Sequence, residues 1–180
     1  MVYVLLGTGF EEIEALTPVD LLRRAGVEVK TVGLNGKIVY GSHAIGVEAD
    51  MTIEELDASD AEMIVLPGGL GGVASIRSCQ KALETVRAVY EMDKYVAAIC
   101  AGPTVLAELG LLTGVKATCY PGQIPNMRDA AVVENAACVT DGKIITGTSA
   151  GTATPFALAL IEALKGSAEA KRIADQIVIR

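Results

Sequence analysis

Short unbroken apolar runs alternate along this chain with stretches whose apolar residues recur every three or four positions. The runs Val2–Leu6, Val27–Leu34, Met63–Leu66, Tyr95–Ile99 and Ile144–Thr146 read as strands buried on both faces, and Gln176–Ile179 as a closing strand. The periodic stretches predict helices at about Glu11–Ala25, about Gln80–Asp93, onward from Pro103, over Thr152–Leu164, and briefly from Ser167. Such alternation implies βαβ units, and so an α/β fold with a mostly parallel central sheet and helices on both faces. The dipeptides Asn35-Gly36 and Asp141-Gly142 are tight-turn signals that suggest antiparallel hairpins at an edge or in small insertions. No linker, repeat or low-complexity segment is evident, so residues 1–180 are expected to form a single domain.

Composition narrows the function classes. A chain of 180 residues, 51% hydrophobic and 21% charged, supplies one sizeable core. Its 15 basic and 22 acidic residues leave a net charge of -7, and the longest basic run is the pair Arg23-Arg24, which argues against nucleic acid or an anionic membrane as partner. The first apolar run ends at Leu6 with no basic leader before it, and no apolar run approaches the ~20 residues of a membrane span. A soluble, cytoplasmic protein is expected. The cysteines Cys79, Cys100, Cys119 and Cys138 have no metal-type spacing and are expected as reduced thiols. The single histidine, His43, excludes a multi-histidine metal site and is expected in a surface turn; neither metal nor cofactor is expected.

Ligands of open α/β sheets bind beyond the carboxyl ends of the strands, where helix N-termini offer free N–H groups. The segment Ala97-Ala98-Ile99-Cys100-Ala101-Gly102-Pro103 puts a cysteine at such a strand-to-helix turn, among the small residues a tight elbow needs, with Pro103 suited to the first helical turn. The following helix points its positive end at the sulfur, which predicts a thiolate-prone Cys100 with a pKa below the ordinary ~8.5. Burial as a small core residue is the commoner fate of a cysteine beside an apolar strand, and Cys79, Cys119 and Cys138 are read that way. On the first helix Glu14 shares a stripe with Pro18, Leu21, Leu22 and Ala25, whereas Glu12, Asp20, Arg23 and Arg24 gather on the other side. A carboxylate on that stripe is desolvated and its pKa raised, which fits it to exchange a proton with a nearby thiolate. Glu11 and Glu12 read as acidic decoration of a helix N-terminus, and Pro18 predicts a loosened or kinked backbone. After Met63–Leu66, the run Pro67-Gly68-Gly69-Leu70-Gly71-Gly72 lets the backbone approach a ligand and expose N–H groups, as an oxyanion site requires. It is no phosphate loop, since no G-K-[ST] follows, and Gly7-Thr8-Gly9 has too few glycines for a dinucleotide fingerprint.

The segments G-F-E-E-I-E-A-L-T-P-V-D-L-L-R-R-A-G (9–26), V-L-P-G-G (65–69), A-A-I-C-A-G-P (97–103) and G-T-S-A-G-T-A-T-P-F-A (147–157) together make the chain closely resemble the ThiJ/PfpI superfamily, in its DJ-one branch. The resemblance covers essentially the whole chain in order. It implies a flavodoxin-like three-layer sandwich, a homodimer, and a cysteine that oxidises readily to sulfinic acid. By motif position it implies Cys100 as the reactive cysteine, Glu14 as the glutamate that hydrogen-bonds it, and Gly68, Gly69 and Ala101 as backbone donors around it. Two departures matter. Where the human relative has a T-H-P motif with an active-site histidine, this chain reads Cys119-Tyr120-Pro121, so no imidazole acts from that position; Tyr120, Pro121 and Ser149 are expected to line the pocket. The protease-like branch carries a histidine directly after its nucleophile, and Ala101 stands there instead, which argues against proteolysis. The activities implied are glutathione-independent glyoxalase and deglycation of methylglyoxal adducts, hence a small aldehyde or glycated substrate. The alternative is a redox-sensing chaperone in which Cys100 is oxidised without dedicated catalysis.

Overall fold

The apolar runs become strands in the computed structural model, which describes residues 1–179. In chain order the strands are β1 (Val2–Leu6), β2 (Val29–Gly33), β3 (Ile38–Tyr40), β4 (Gly46–Glu48), β5 (Met51–Thr52), β6 (Met63–Leu66), β7 (Tyr95–Ile99), β8 (Lys116–Ala117), β9 (Ala131–Val132), β10 (Cys138–Asp141) and β11 (Ile144–Gly147). The helices are α1 (Glu12–Arg24), α2 (Leu70–Ser78), α3 (Gln80–Glu91), α4 (Pro103–Glu108), α5 (Ala153–Lys165) and α6 (Ser167–Gln176). Seven strands form one sheet in the order β10-β11-β7-β6-β1-β2-β5, parallel apart from the β10–β11 pair.

Successive residues of β1 face opposite layers. Leu5 packs with Ile64, Val73, Ile76, Val86 and Leu106 under α2, α3 and α4, while Val4 and Leu6 pack with Leu22, Phe156 and Leu160 under α1 and α5. Covering both faces explains why β1 and β6 are apolar throughout, and each fully buried aliphatic side chain contributes roughly 1.5–3 kcal/mol. This is the flavodoxin-like three-layer sandwich expected. The chain leaves β1 toward β2 on one side and continues from β6 to β7 on the other, so the order reverses between β1 and β6, and the loops after β1, β6 and β7 meet at that point. Among the described residues no helix is long and apolar enough to cross a membrane.

Three local expectations are corrected. Gln176–Ile179 is no strand: Ile177 N–H donates to Ile173 and Val178 N–H to Asp175, so local bonding prolongs the helical end. Asn35-Gly36 does not close a hairpin on β2, because β2 is already paired in parallel with β1 and β5; the β3–β4 hairpin turns at Gly41–Ile45 instead. Asp141-Gly142 does join an antiparallel pair, β10 and β11. The glycine run 67–72 is only half a loop, since α2 starts at Leu70; packing overrides the low helix propensity of Gly71 and Gly72. The helix α1 continues through Pro18, which has no N–H to give the Glu14 carbonyl.

Candidate active site

Between the end of β7 and the start of α4 only Cys100, Ala101 and Gly102 remain to turn the chain. Cys100 takes a φ of +64°, a left-handed conformation that costs an L-residue on the order of 1–3 kcal/mol. Three backbone bonds hold it there: Cys100 N–H donates to Gly147 at 3.0 Å, Gly102 N–H to Ile99 at 2.9 Å, and Tyr120 N–H to the Cys100 carbonyl at 2.9 Å. A Cβ on Gly102 would stand 2.5 Å from the Leu66 carbonyl oxygen, so the elbow can lie this close to β6 only with glycine. The elbow read from the sequence is thus present, with its strain concentrated on the cysteine.

Glu14, in the first turn of α1, is 1% exposed. Its Oε2 accepts the Gly68 N–H at 2.9 Å, and the carboxyl and the Cys100 side chain both lie against Gly68, which places the acid beside the thiol. Burial pushes Glu14 up to about 7, against the restraint of hydrogen bonding. The sulfur departs from expectation. Burial first, and the Glu14 charge second, push the Cys100 thiol up to about 12, although the N–H groups of Ala101 and Gly69 pull the other way. The acidifying helix α4 has only six residues, too short a dipole to outweigh desolvation and a facing carboxylate. With both groups pushed up, the pair holds one proton once the pH has passed about 7, and the passage of that proton from sulfur to carboxylate yields a thiolate beside a neutral acid. Cys119 and Cys138, each pushed up to about 11 by burial, have no carboxylate partner of this kind among the described residues.

Gly68 underlies this contact, for a Cβ there would fall onto Glu14 Oε2 and within 2.7 Å of the Cys100 Cβ. Gly68→Ala is expected to cost about 1–3 kcal/mol of stability and to push the carboxylate off the sulfur. Urea unfolding and the rate of Cys100 alkylation check both effects, and an unchanged alkylation rate rejects the second.

Cys100 opens on a cleft of about 510 Å³, lined also by Ala101, Gly69, Leu70, Gly71, Tyr120 and Gln123 and by Gly9, Glu11, Ser42 and His43. Tyr120 therefore stands where expected. Pro121 does not; it borders a separate recess of about 110 Å³ with Cys119, because the chain turns away after Tyr120 into a short helix. Ser149 is also outside the cleft lining, its hydroxyl engaged in a capping box with Thr152. Gly68 gives its N–H to Glu14, which leaves Gly69 and Ala101 as the donors near sulfur.

His43, Ser42 and Glu12 escaped the sequence reading of the site. Glu12 is not outward decoration: the Gly41–Ile45 turn covers it, leaving 6% exposed. Its Oε1 accepts the His43 N–H at 2.8 Å, and its Oε2 lies 2.9 Å from His43 Nδ1 and 3.1 Å from the Ser42 hydroxyl. Burial alone pushes Glu12 up, but the bonds from His43, the backbone and Ser42 outweigh it and bring the group down to about 2. The same carboxylate, with Glu11 nearby, pushes His43 up. Glu11, Glu12 and His43 bring potential metal-ligating atoms within 4.8 Å of one another. Both Glu12 oxygens and His43 Nδ1 are already bonded together, however, so the group reads as a closed hydrogen-bonded clamp.

The DJ-1/PfpI family profile matches residues 1–163. Over 178 residues the chain is 34% identical to the protein dj-1beta of Drosophila melanogaster, covering 98% of this chain and 95% of that one. A protein of Pyrococcus abyssi named as a deglycase is 30% identical over 165 residues, with coverage of 91% and 99%. The crystal structure of Drosophila DJ-1beta superposes with a TM-score of 0.95 at 35% identity over 99% of this chain and 97% of that one. An oxidized DJ-1 of Toxoplasma gondii reaches 0.93 at 34% identity, over 98% and 97%.

Proposed function

The chain belongs to the DJ-1/PfpI family, and on that premise we propose that it is a cysteine-dependent stress-protection enzyme acting on 2-oxoaldehydes or their adducts. The observation that carries this reading is the buried Glu14 set beside Cys100, on a strained elbow that opens into a cleft. Glu14 takes the thiol proton as the sulfur adds to the aldehyde carbon and passes it to the aldehyde oxygen, giving a hemithioacetal and freeing the carboxylate. It then moves a proton from that carbon to the neighbouring one through an enediol, leaving a thioester of the 2-hydroxy acid. Water cleaves the thioester and restores the thiol. The deglycase name of the Pyrococcus relative supports this substrate class. The reading takes the protein as a cytoplasmic homodimer, in keeping with four free cysteines and with exposed Ile13, Ile38, Tyr40 and Ile45.

The test is lactate formation from methylglyoxal without glutathione. Wild type is expected to form lactate and Cys100→Ala to stay at background; equal rates overturn the proposal. A second reading, a redox-sensing chaperone, is favoured by the oxidized form of the Toxoplasma relative and by the Gly69 and Ala101 N–H groups beside the sulfur. It expects mild peroxide to add oxygen selectively at Cys100, with Glu14 protonated and donating to the oxidised group. Intact mass with peptide mapping decides, and uniform oxidation of all four cysteines rejects it.

A further inference from the structure

We propose that His43 is a second catalytic group of this cleft, an imidazole held by Glu12 that exchanges a proton with the carbonyl oxygen adjacent to the carbon bonded to Cys100. The inference rests on the 2-oxoaldehyde reading above.

His43 is the chain's only histidine, and the fold carries it from the β3–β4 turn to the cleft that contains Cys100. Glu12, covered by that turn, grips the segment at three points: the His43 N–H, the ring Nδ1 and the Ser42 hydroxyl. A carboxylate on Nδ1 fixes that nitrogen as the protonated one, so Nε2 becomes the exchanging atom. Nε2 makes no hydrogen bond among the described residues, and the side chain is 69% exposed, so a small substrate can reach it. A solvated surface histidine has no need of a buried carboxylate to orient it; an imidazole that must present one nitrogen to a substrate does.

The chemistry asks for such a group. Forming the enediol moves a proton from the sulfur-bearing carbon to Glu14, while the neighbouring carbonyl oxygen becomes a hydroxyl and needs a proton of its own. The Gly69 and Ala101 N–H groups face the sulfur and leave that oxygen to another group. Nε2–H of protonated His43 donates to that oxygen. Glu14 then delivers its proton to the neighbouring carbon, which bears that new hydroxyl, and the hydroxyl on the sulfur-bearing carbon gives its proton to Nε2 as the thioester carbonyl forms. One carbon is oxidised, its neighbour reduced, and both His43 and Glu14 end as they began. The groups that set the titration of His43 are the Glu12 and Glu11 carboxylates; Cys100 and Tyr120 are the other titratable groups lining the same cleft.

Two measurements test this. In lactate formation from methylglyoxal, His43→Gln is expected to lower kcat about 100-fold with KM little changed and to remove one limb of the pH profile. Glu12→Gln, which alters a positioning residue, moves that limb to lower pH, because it removes the group that most raises the imidazole. The second measurement needs no variant of the pair. Because there is one histidine, proton NMR follows one imidazole; alkylating wild type with chloroacetone places a ketone on Cys100 where the hemithioacetal carries its own, with equally treated Cys100→Ala as control. The His43 midpoint is expected to rise only in wild type as Nε2–H donates to the ketone oxygen. An unmoved midpoint, or a His43→Gln kcat within twofold of wild type, overturns the inference. If wild type forms no more lactate than Cys100→Ala, the 2-oxoaldehyde reading fails, and the imidazole titration alone still decides the role of His43.

Discussion

Replacing Glu14 by glutamine lowers lactate formation from methylglyoxal by about 10²- to 10⁴-fold, close to the level left by Cys100→Ala. Glutamine keeps the shape of the side chain and an oxygen for the Gly68 N–H, which Glu14 now accepts at 2.9 Å. It can neither take the thiol proton nor carry one between carbons, so the loss falls on kcat. The pH dependence of Cys100 alkylation provides an independent measure. In wild type the thiolate is coupled to a carboxyl pushed up to about 7 by burial, and the rate is expected to rise in two steps, the first near that value. Glu14→Gln leaves one step. A variant with wild-type turnover and an unchanged two-step profile removes Glu14 from the chemistry.

The elbow was legible because the signals for it are local: an apolar strand, small residues, and a proline placed where a helix begins. Glu14 was legible because one charge on an apolar stripe is costly anywhere, and the cost does not depend on what covers the stripe. The resemblance to relatives pointed to the same two residues by motif. Glu12 failed for the converse reason. A helical stripe reports only neighbours along the same helix, whereas the Gly41–Ile45 turn that buries Glu12 comes from a different part of the chain. His43 was assigned to a surface turn, and it is in one; its meaning comes from the cleft the turn overhangs. The sulfur's acidity was misjudged because the helix argument weighed backbone dipoles alone, while desolvation and a carboxylate from α1 act more strongly on the same atom.

Burying that carboxyl also predicts how the fold responds to pH. The Glu14 carboxyl is raised from 4.5 to about 7 in the folded chain, so between these values the unfolded chain has released a proton that the folded chain still holds. The stabilisation is complete below 4.5, erodes above it, and is gone once the pH has passed about 7. At about 1.36 kcal/mol per pKa unit it amounts to on the order of 3 kcal/mol. His43, also raised, loses stability in the same direction, while Glu12, lowered to about 2, acts only in acid, so wild type alone does not isolate Glu14. Comparison with Glu14→Gln does, because glutamine has no proton to lose and retains the other groups. Urea unfolding at pH 5 and pH 8 is expected to show wild type losing about 3 kcal/mol more than the variant between the two conditions. An equal loss in both proteins would mean that Glu14 carries no raised proton in the folded state, and the proton transfer assigned to it in catalysis would lose its physical basis.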